Sequence, residues 1–286
     1  MPLVSTGELV AAARAAGRGV AAFNVITLEH AEAIATGAER AGAPAILQIS
    51  ENAVKFHGGR LSAIAAAAAA VARDSAAPLS LHLDHVTDPE LLRAAHPEGF
   101  SSVMFDASKL TYAENVKATA DAVRWGHERG IWVEAELGKV GGKEGEAPLD
   151  AHAPGVRTDP AEAASYVAAT GVDALAVAVG SSHAMTSRTA SLDHGLIGSL
   201  AAAVPVPLVL HGSSGVPDAE IRAAVASGMV KINVGTALNT AFTGEVRAYL
   251  GAHEKGVDPR KYLAPAREAM AGTVAGFLGL LTQPQE

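Results

Sequence analysis

The 286 residues include no cysteine. A disulfide framework and a thiolate metal site are thereby excluded, and any metal must be held by histidine and carboxylate. Aromatic residues make up only 4% of the chain, while alanine is used heavily, as in folds with many closely packed helices. Long apolar runs are missing too. The longest, from Ala63 to Ala72, is mostly alanine and too short to span a bilayer, so a buried or half-buried helix is expected there. Met1-Pro2-Leu3-Val4-Ser5 lacks the basic and then apolar regions of a signal peptide, and a cytoplasmic location is expected. Positive charge is not in excess: the formal net charge of −8 argues against nucleic acid or an anionic membrane as the main partner. A small anionic substrate stays compatible with it, because a site can be locally positive.

What is present is a globular composition, 49% hydrophobic and 18% charged. Short β-rich runs alternate with longer helical ones from end to end, the pattern of a parallel sheet with crossover helices. The expected strands are Val20 to Asn24, Ala45 to Ser50, Leu79 to Asp84, Ser102 to Asp106, Ile131 to Leu137, Ala174 to Val179, Pro207 to Leu210 and Val230 to Val234. Leu79, Leu81 and Leu83 alternate with Ser80, His82 and Asp84, which reads as a half-buried strand. A helix from Ser5 to Ala16 opens the chain, and two more, from about Ala237 and about Pro259, close it. Eight such units with no linker predict a single α/β domain over 1–286, a (β/α)8 TIM barrel with extra N- and C-terminal helices. An open doubly wound sheet would usually carry a glycine-rich first turn, and Asn24-Val25-Ile26-Thr27 has none. A long loop rich in glycine and acid runs from Gly138 to about Arg157, and a second from Gly180 to Ser191. Loops of this length in a compact fold are either functional or disordered.

In a barrel the C-terminal strand ends converge on one face, where active sites lie. Here they carry Asn24, Ser50, Asp84-His85, Asp106, Glu134, Glu136, His183 just past strand six, His211 and Asn233. Each alone has a plain explanation as a cap or a hydrogen-bonded core group; polar groups at nearly every strand end are harder to dismiss. His85, His183 and His211 leave strands three, six and seven and can meet across the mouth, a recurring ligand set for catalytic zinc. The other histidines read as surface or packing residues. Asp84, too short to chelate comfortably beside a ligand, suits proton transfer. His211-Gly212-Ser213-Ser214-Gly215 and Asn233-Val234-Gly235-Thr236 leave strands seven and eight, where barrels commonly hold phosphate on backbone N–H groups.

The set LHLDH at 81–85, SVMFDAS at 102–108, VEAELG at 133–138, GG-K-E at 141–144, HGSSG at 211–215, KINVGT at 231–236 and DPRKYL at 258–263 resembles the class II, metal-dependent ketose-bisphosphate aldolases, nearest to the shorter bacterial fructose- and tagatose-bisphosphate enzymes. The resemblance implies Zn2+ on His85, His183 and His211, with Asp106 and Glu136 as carboxylates offering an alternative metal position. It implies Asp84 as the acid/base at the substrate C4 hydroxyl and Glu144 as the loop glutamate exchanging a proton on dihydroxyacetone phosphate. Gly212, Ser214, Asn233 and Thr236 match contacts to that product; Asn24, Ser50, Ser213, Val234 and Gly235 complete the expected substrate-binding set, and Asn233 is placed among the catalytic residues. A monovalent cation, Na+ or K+, near the phosphate is a further family property. Arg260 matches an arginine that reads the distal phosphate, in some members from a neighbouring subunit, so a homodimer or homotetramer is expected. The implied reaction is reversible aldol cleavage of a ketose 1,6-bisphosphate to dihydroxyacetone phosphate and glyceraldehyde 3-phosphate. Another phosphorylated ketose or keto acid is the alternative substrate class, and a non-catalytic sugar-phosphate-binding paralogue the alternative function. The chain departs from the family at Ala184, where glycine is usual, and at Lys143, where glutamine is usual.

Overall fold

Strand-forming runs of Val, Ile and Leu, separated by alanine-rich helical stretches, fold as their alternation predicts. The computed structural model describes residues 3–138, 140–142, 151 and 155–282. Its strands are β1 (Val20–Asn24), β2 (Ala45–Ser50), β3 (Leu79–Val86), β4 (Ser102–Phe105), β5 (Trp132–Leu137), β6 (Ala174–Val177), β7 (Leu208–Leu210) and β8 (Met229–Val234). They form one closed parallel barrel in sequence order, with β8 returning to β1. Around it run α1 (Thr6–Ala15), α2 (Leu28–Ala41), α3 (Glu51–Phe56), α4 (Leu61–Asp74), α5 (Pro89–Ala94), α6 (Tyr112–His127), α7 (Pro160–Thr170), α8 (His194–Ala203), α9 (Asp218–Ala226), α10 (Thr236–Ala252) and α11 (Arg260–Thr282). The architecture is a TIM barrel with added terminal helices. No helix among the described residues is long and apolar enough to cross a membrane.

β3 is not half-buried. Every residue of it except His85 is buried, because a closed barrel hides both faces of a strand. Leu79, Leu81 and Leu83 join the apolar layer under the helices, each burial worth about 1.5–3 kcal/mol. Ser80, His82 and Asp84 face the lumen, where they meet Thr6, Ser102 and Gln48. The strand also runs two residues past Asp84. Between Leu83 and Val86 its register against β4 slips, so that Leu83 pairs with Val103 and Val86 with Phe105. This bulge re-aims the side chains it contains.

β4 stops at Phe105 and β6 at Val177, short of the expected Asp106 and Val179. α3 was not expected. The Ser50 hydroxyl starts it by accepting from the Ala53 N–H at 3.2 Å. α1 closes the N-terminal mouth: Thr6 donates to the Ser80 hydroxyl at 3.0 Å, and Leu9 and Val10 pack on Val20, Ala22, Ile46 and Val230. α11 lies along α2, tied by Arg40–Glu268 and Arg267–Glu32 ion pairs. With the lower mouth plugged, polar groups in the lumen are reached from the C-terminal end.

Candidate active site

A cleft of ≈ 590 Å³ opens at that end, lined among others by Asn24, Gln48, Ser50, Asp84, His85, Asp106, His183, Gly212, Ser214, Asn233, Gly235 and Thr236. Two imidazoles, His85 and His183, line it, and a third, His211, is buried against them. Ring centroids are 4.8 Å apart for His85 and His211, 5.1 Å for His85 and His183, and 5.6 Å for His183 and His211, with the rings nearly perpendicular. One ligand atom from each of the three and one from Glu136 all lie within 4.8 Å of one another.

Each histidine is aimed by something specific. His85 ends the bulge of β3 with a left-handed backbone, φ 49, a conformation that persists only where the surroundings enforce it. Its Nδ1 lies 2.9 Å from Asp106 Oδ2, which turns Nε2 inward to 3.1 Å from His211 Nδ1. His211 follows β7 and is wholly buried; its Nε2 lies 2.9 Å from Glu134 Oε1, and its Nδ1 3.6 Å from Glu136 Oε2. His183 sits on a loop beyond β6, so its bracing comes from other loops. Its N–H donates to Gly141 at 2.7 Å, and the Ser181 hydroxyl donates to the His211 carbonyl at 2.6 Å. Gly142 and Gly212 press on this loop so closely that a Cβ on either would overlap the backbone of His183 or Ser182. Both have positive φ, 82 and 68, which glycine adopts freely.

The electrostatics favour a cation. Burial alone would lower the His85 imidazole, but Asp84, Asp106 and Glu136 around it push it up to about 9. Burial would likewise raise the carboxyl of Asp84, yet His85, His82 and His211 hold it well below the usual range. Carboxylates that attract a proton to His85 attract a divalent ion as well, which displaces that proton on binding. With no sulfur donor, the set of three histidines and Glu136 suits a borderline metal. The carboxylates behind His85 and His211 hold their rings as outer partners of ligating histidines do.

Beside the donors, Asp84 accepts from the Gln48 amide at 2.9 Å through Oδ2, while Oδ1 is buried without a hydrogen-bond partner among the described residues. Asn233 Nδ2 is buried and unpartnered in the same sense. Across the cleft, Gly212 leads into a 3-10 turn at Ser213–Gly215, and Ser214 accepts from the Ala237 N–H at 3.0 Å. Gly235 precedes α10 and gives it no side-chain cap of its own, and Gly212, Ser214, Gly235 and Thr236 line the same cleft. Backbone N–H groups so placed can hold an anion.

A family model described as fructose-bisphosphate aldolase class-II matches residues 4–284. The chain belongs to the class II aldolase family. The enzyme is therefore a metal-dependent carbon–carbon lyase of sugar-phosphate metabolism acting on a ketose bisphosphate. It is 39% identical to a fructose-bisphosphate aldolase of Thermus caldophilus, over 97% of both chains. It is 40% identical to a probable fructose-bisphosphate aldolase of Bacillus subtilis, over 96% of both. Among solved structures, the YdjI aldolase of Escherichia coli K12 superposes with a TM-score of 0.81 at 29% identity, covering 98% of this chain and 97% of that one.

Most of the site residues expected from the sequence line or border this cleft. The Ser213 hydroxyl is the exception on its turn: it points back to the Leu210 carbonyl at 3.1 Å. Val234 is buried in the apolar layer, leaving its backbone to serve any ligand. Asp106 backs His85 and is not one of the four clustered donors. Arg260 is outside the cleft of its own chain: its side chain is 89% exposed and pairs with Asp258 at 2.8 Å. Glu144 and Lys143 lie outside the described residues.

Gln48 and Lys231 are not singled out by the sequence; with Glu134, a strand-end residue, they join the lumen to the site, and His82, read as packing, stands 3.8 Å from Asp84 and 3.9 Å from Glu134. Lys55 and Lys109 line the cleft as cations of the same chain. The available signal is Lys231, a charge flanked by Val230 and Ile232 in a strand.

Proposed function

We propose that the enzyme reversibly cleaves fructose or tagatose 1,6-bisphosphate to dihydroxyacetone phosphate and glyceraldehyde 3-phosphate, with Zn2+ as its metal. The observation that carries this reading is the meeting, at one cleft, of three imidazoles with Glu136, the buried carboxylate of Asp84, and the backbone of the turn after β7 and the start of α10. His85, His183 and His211 hold the ion, with Glu136 and Asp106 beside them as the alternative carboxylate position. When bound, the metal supplies positive charge where negative charge develops on the substrate's oxygens. Asp84 takes the proton of the C4 hydroxyl. The C3–C4 bond then breaks, C4 becomes the aldehyde carbon, and the electron pair stays with the three-carbon fragment. Glu144 exchanges the proton on that fragment's carbon. Asn233 donates from Nδ2 to a substrate oxygen, Asn24 and Ser50 border the sugar chain, and N–H groups of 212–214 and 234–236 receive the phosphate, near which a monovalent cation is placed by family analogy.

A second substrate, another phosphorylated ketose or keto acid, is favoured by one observation. Ala184, with φ 57, puts a methyl group into the cleft wall beside His183. Cleavage assays on fructose 1,6-bisphosphate, tagatose 1,6-bisphosphate and a ketose 1-phosphate decide between them. Turnover of either bisphosphate at least tenfold faster than of the monophosphate is the expected result; turnover of neither bisphosphate would overturn this reading.

A further inference from the structure

Lys231 is fully buried in the barrel lumen, and nothing in the aldol chemistry above uses it. A buried ammonium is costly unless every proton has an acceptor. Its Nζ lies 2.9 Å from Glu134 Oε2, donates to Asn233 Oδ1 at 2.8 Å and donates to Gln48 Oε1 at 3.3 Å. We propose that Lys231 is a positioning residue that sets, from beneath, the hydrogen-bond direction of a metal ligand, of the acid and of the substrate-facing amide together.

The argument rests on what an ammonium can do: it only donates. Each atom turned toward it must accept, and an amide whose oxygen points to Lys231 must point its NH2 away. Asn233, which lines the cleft, therefore turns Nδ2 away from Lys231; that atom is buried without a hydrogen-bond partner among the described residues, a donor left for a substrate oxygen. Gln48 therefore presents Nε2, which donates at 2.9 Å to both Asp84 Oδ2 and Asn24 Oδ1 and so fixes the direction of the Asp84 carboxylate. Glu134, held by the ammonium on one oxygen, keeps the other 2.9 Å from His211 Nε2, so that ring carries its proton there and its Nδ1 lone pair faces His85 and Glu136. Without Lys231 each amide is free to turn over. A reversed Gln48 would face Asp84 with an oxygen, and a reversed Asn233 would offer the substrate an acceptor where it needs a donor.

This deepens the proposed function and rests on it for the substrate oxygen that Asn233 meets. The test compares Lys231→Met with the double variant Lys231→Met/Glu134→Gln, which removes the buried charges together. Four properties are measured: the melting temperature, Zn2+ affinity of the stripped protein by chelator competition, the His211 tautomer by long-range 1H–15N NMR, and kcat and KM on fructose 1,6-bisphosphate. Lys231→Met is expected to bind Zn2+ about 10–100-fold more weakly and to raise KM. The double variant is expected to regain the wild-type melting temperature but neither the single His211 tautomer nor the KM. If it regains all three, or if a folded Lys231→Met keeps wild-type affinity and KM, Lys231 only neutralises Glu134 and the proposal is wrong. Should the single variant not fold, the double variant alone decides. Should the wild type not cleave the bisphosphate, the substrate reading fails, while Zn2+ affinity and the tautomer still judge Lys231.

Discussion

Asp84 and His85 are consecutive, yet both serve the cleft, which regular strand alternation forbids. The bulge between Leu83 and Val86 and the left-handed backbone of His85 resolve the conflict. At this scale a second carboxylate is also instructive. Glu51 is buried below the β3 end and accepts from the Thr87 N–H at 2.6 Å and from the Asp88 N–H at 3.3 Å, with Lys55 at 2.7 Å. Burial would raise its carboxyl, but Lys55, Thr87 and Asp88 together hold it below the ordinary value of 4.5. A carboxyl depressed by folding adds stability above its unfolded value and loses it as pH falls through the folded one. Glu51→Gln should therefore melt below the wild type at pH 7, with the gap closing as pH drops below about 4. A gap independent of pH in thermal melts would mean that the Glu51 charge is not what stabilises this corner.

Elements position the site through loops as much as through strands. His85 and His211 sit at the ends of β3 and β7, whereas His183 depends on glycines of the neighbouring loops. Gly212→Ala should cost about 1–3 kcal/mol, from the left-handed backbone alone, and should lower activity by displacing the Ser182–His183 backbone. Gly198, inside α8 with open space around it, is its control: Gly198→Ala should stabilise by about 0.5–1 kcal/mol and leave turnover unchanged. Denaturant unfolding of both variants checks the contrast, and equal effects would dissolve it. What the sequence made legible at this scale follows the physics of period. Alternation and helix signals placed all the strands, and strand ends exposed the histidines and Asp84 as a group. β3 reads as half-buried from its sequence because period two reports alternation and not what covers each face. Lys231 and Gln48 stayed hidden because their partners, Glu134 and Asp84, come together only when the barrel closes.

At the scale of the whole molecule, the proposed substrate asks for two phosphate sites. The backbone at Gly212 and Gly235 is proposed for one phosphate, whereas Arg260 stands exposed at the start of α11, away from its own cleft. An arginine suits a phosphate because its planar donors bind two oxygens at once. In the homodimer or homotetramer expected from the family resemblance, Arg260 would read the distal phosphate of a neighbouring copy. Arg260→Ala should then lower bisphosphate turnover at least tenfold more than turnover of a ketose 1-phosphate, in steady-state kinetics on both. Equal losses would leave the distal phosphate to Lys55 and Lys109, the cations that line the cleft of the same chain.

The central claim is that His85, His183 and His211 hold one ion on which carbon–carbon cleavage depends. Titration of Zn2+ into stripped protein tests it most directly, with fructose 1,6-bisphosphate cleavage followed at each addition and His183→Ala as the companion variant. Activity should rise from near zero and break at one ion per chain, while His183→Ala stays inactive with a native circular dichroism spectrum. Full cleavage by the stripped protein, or a wild-type titration in His183→Ala, would contradict the account.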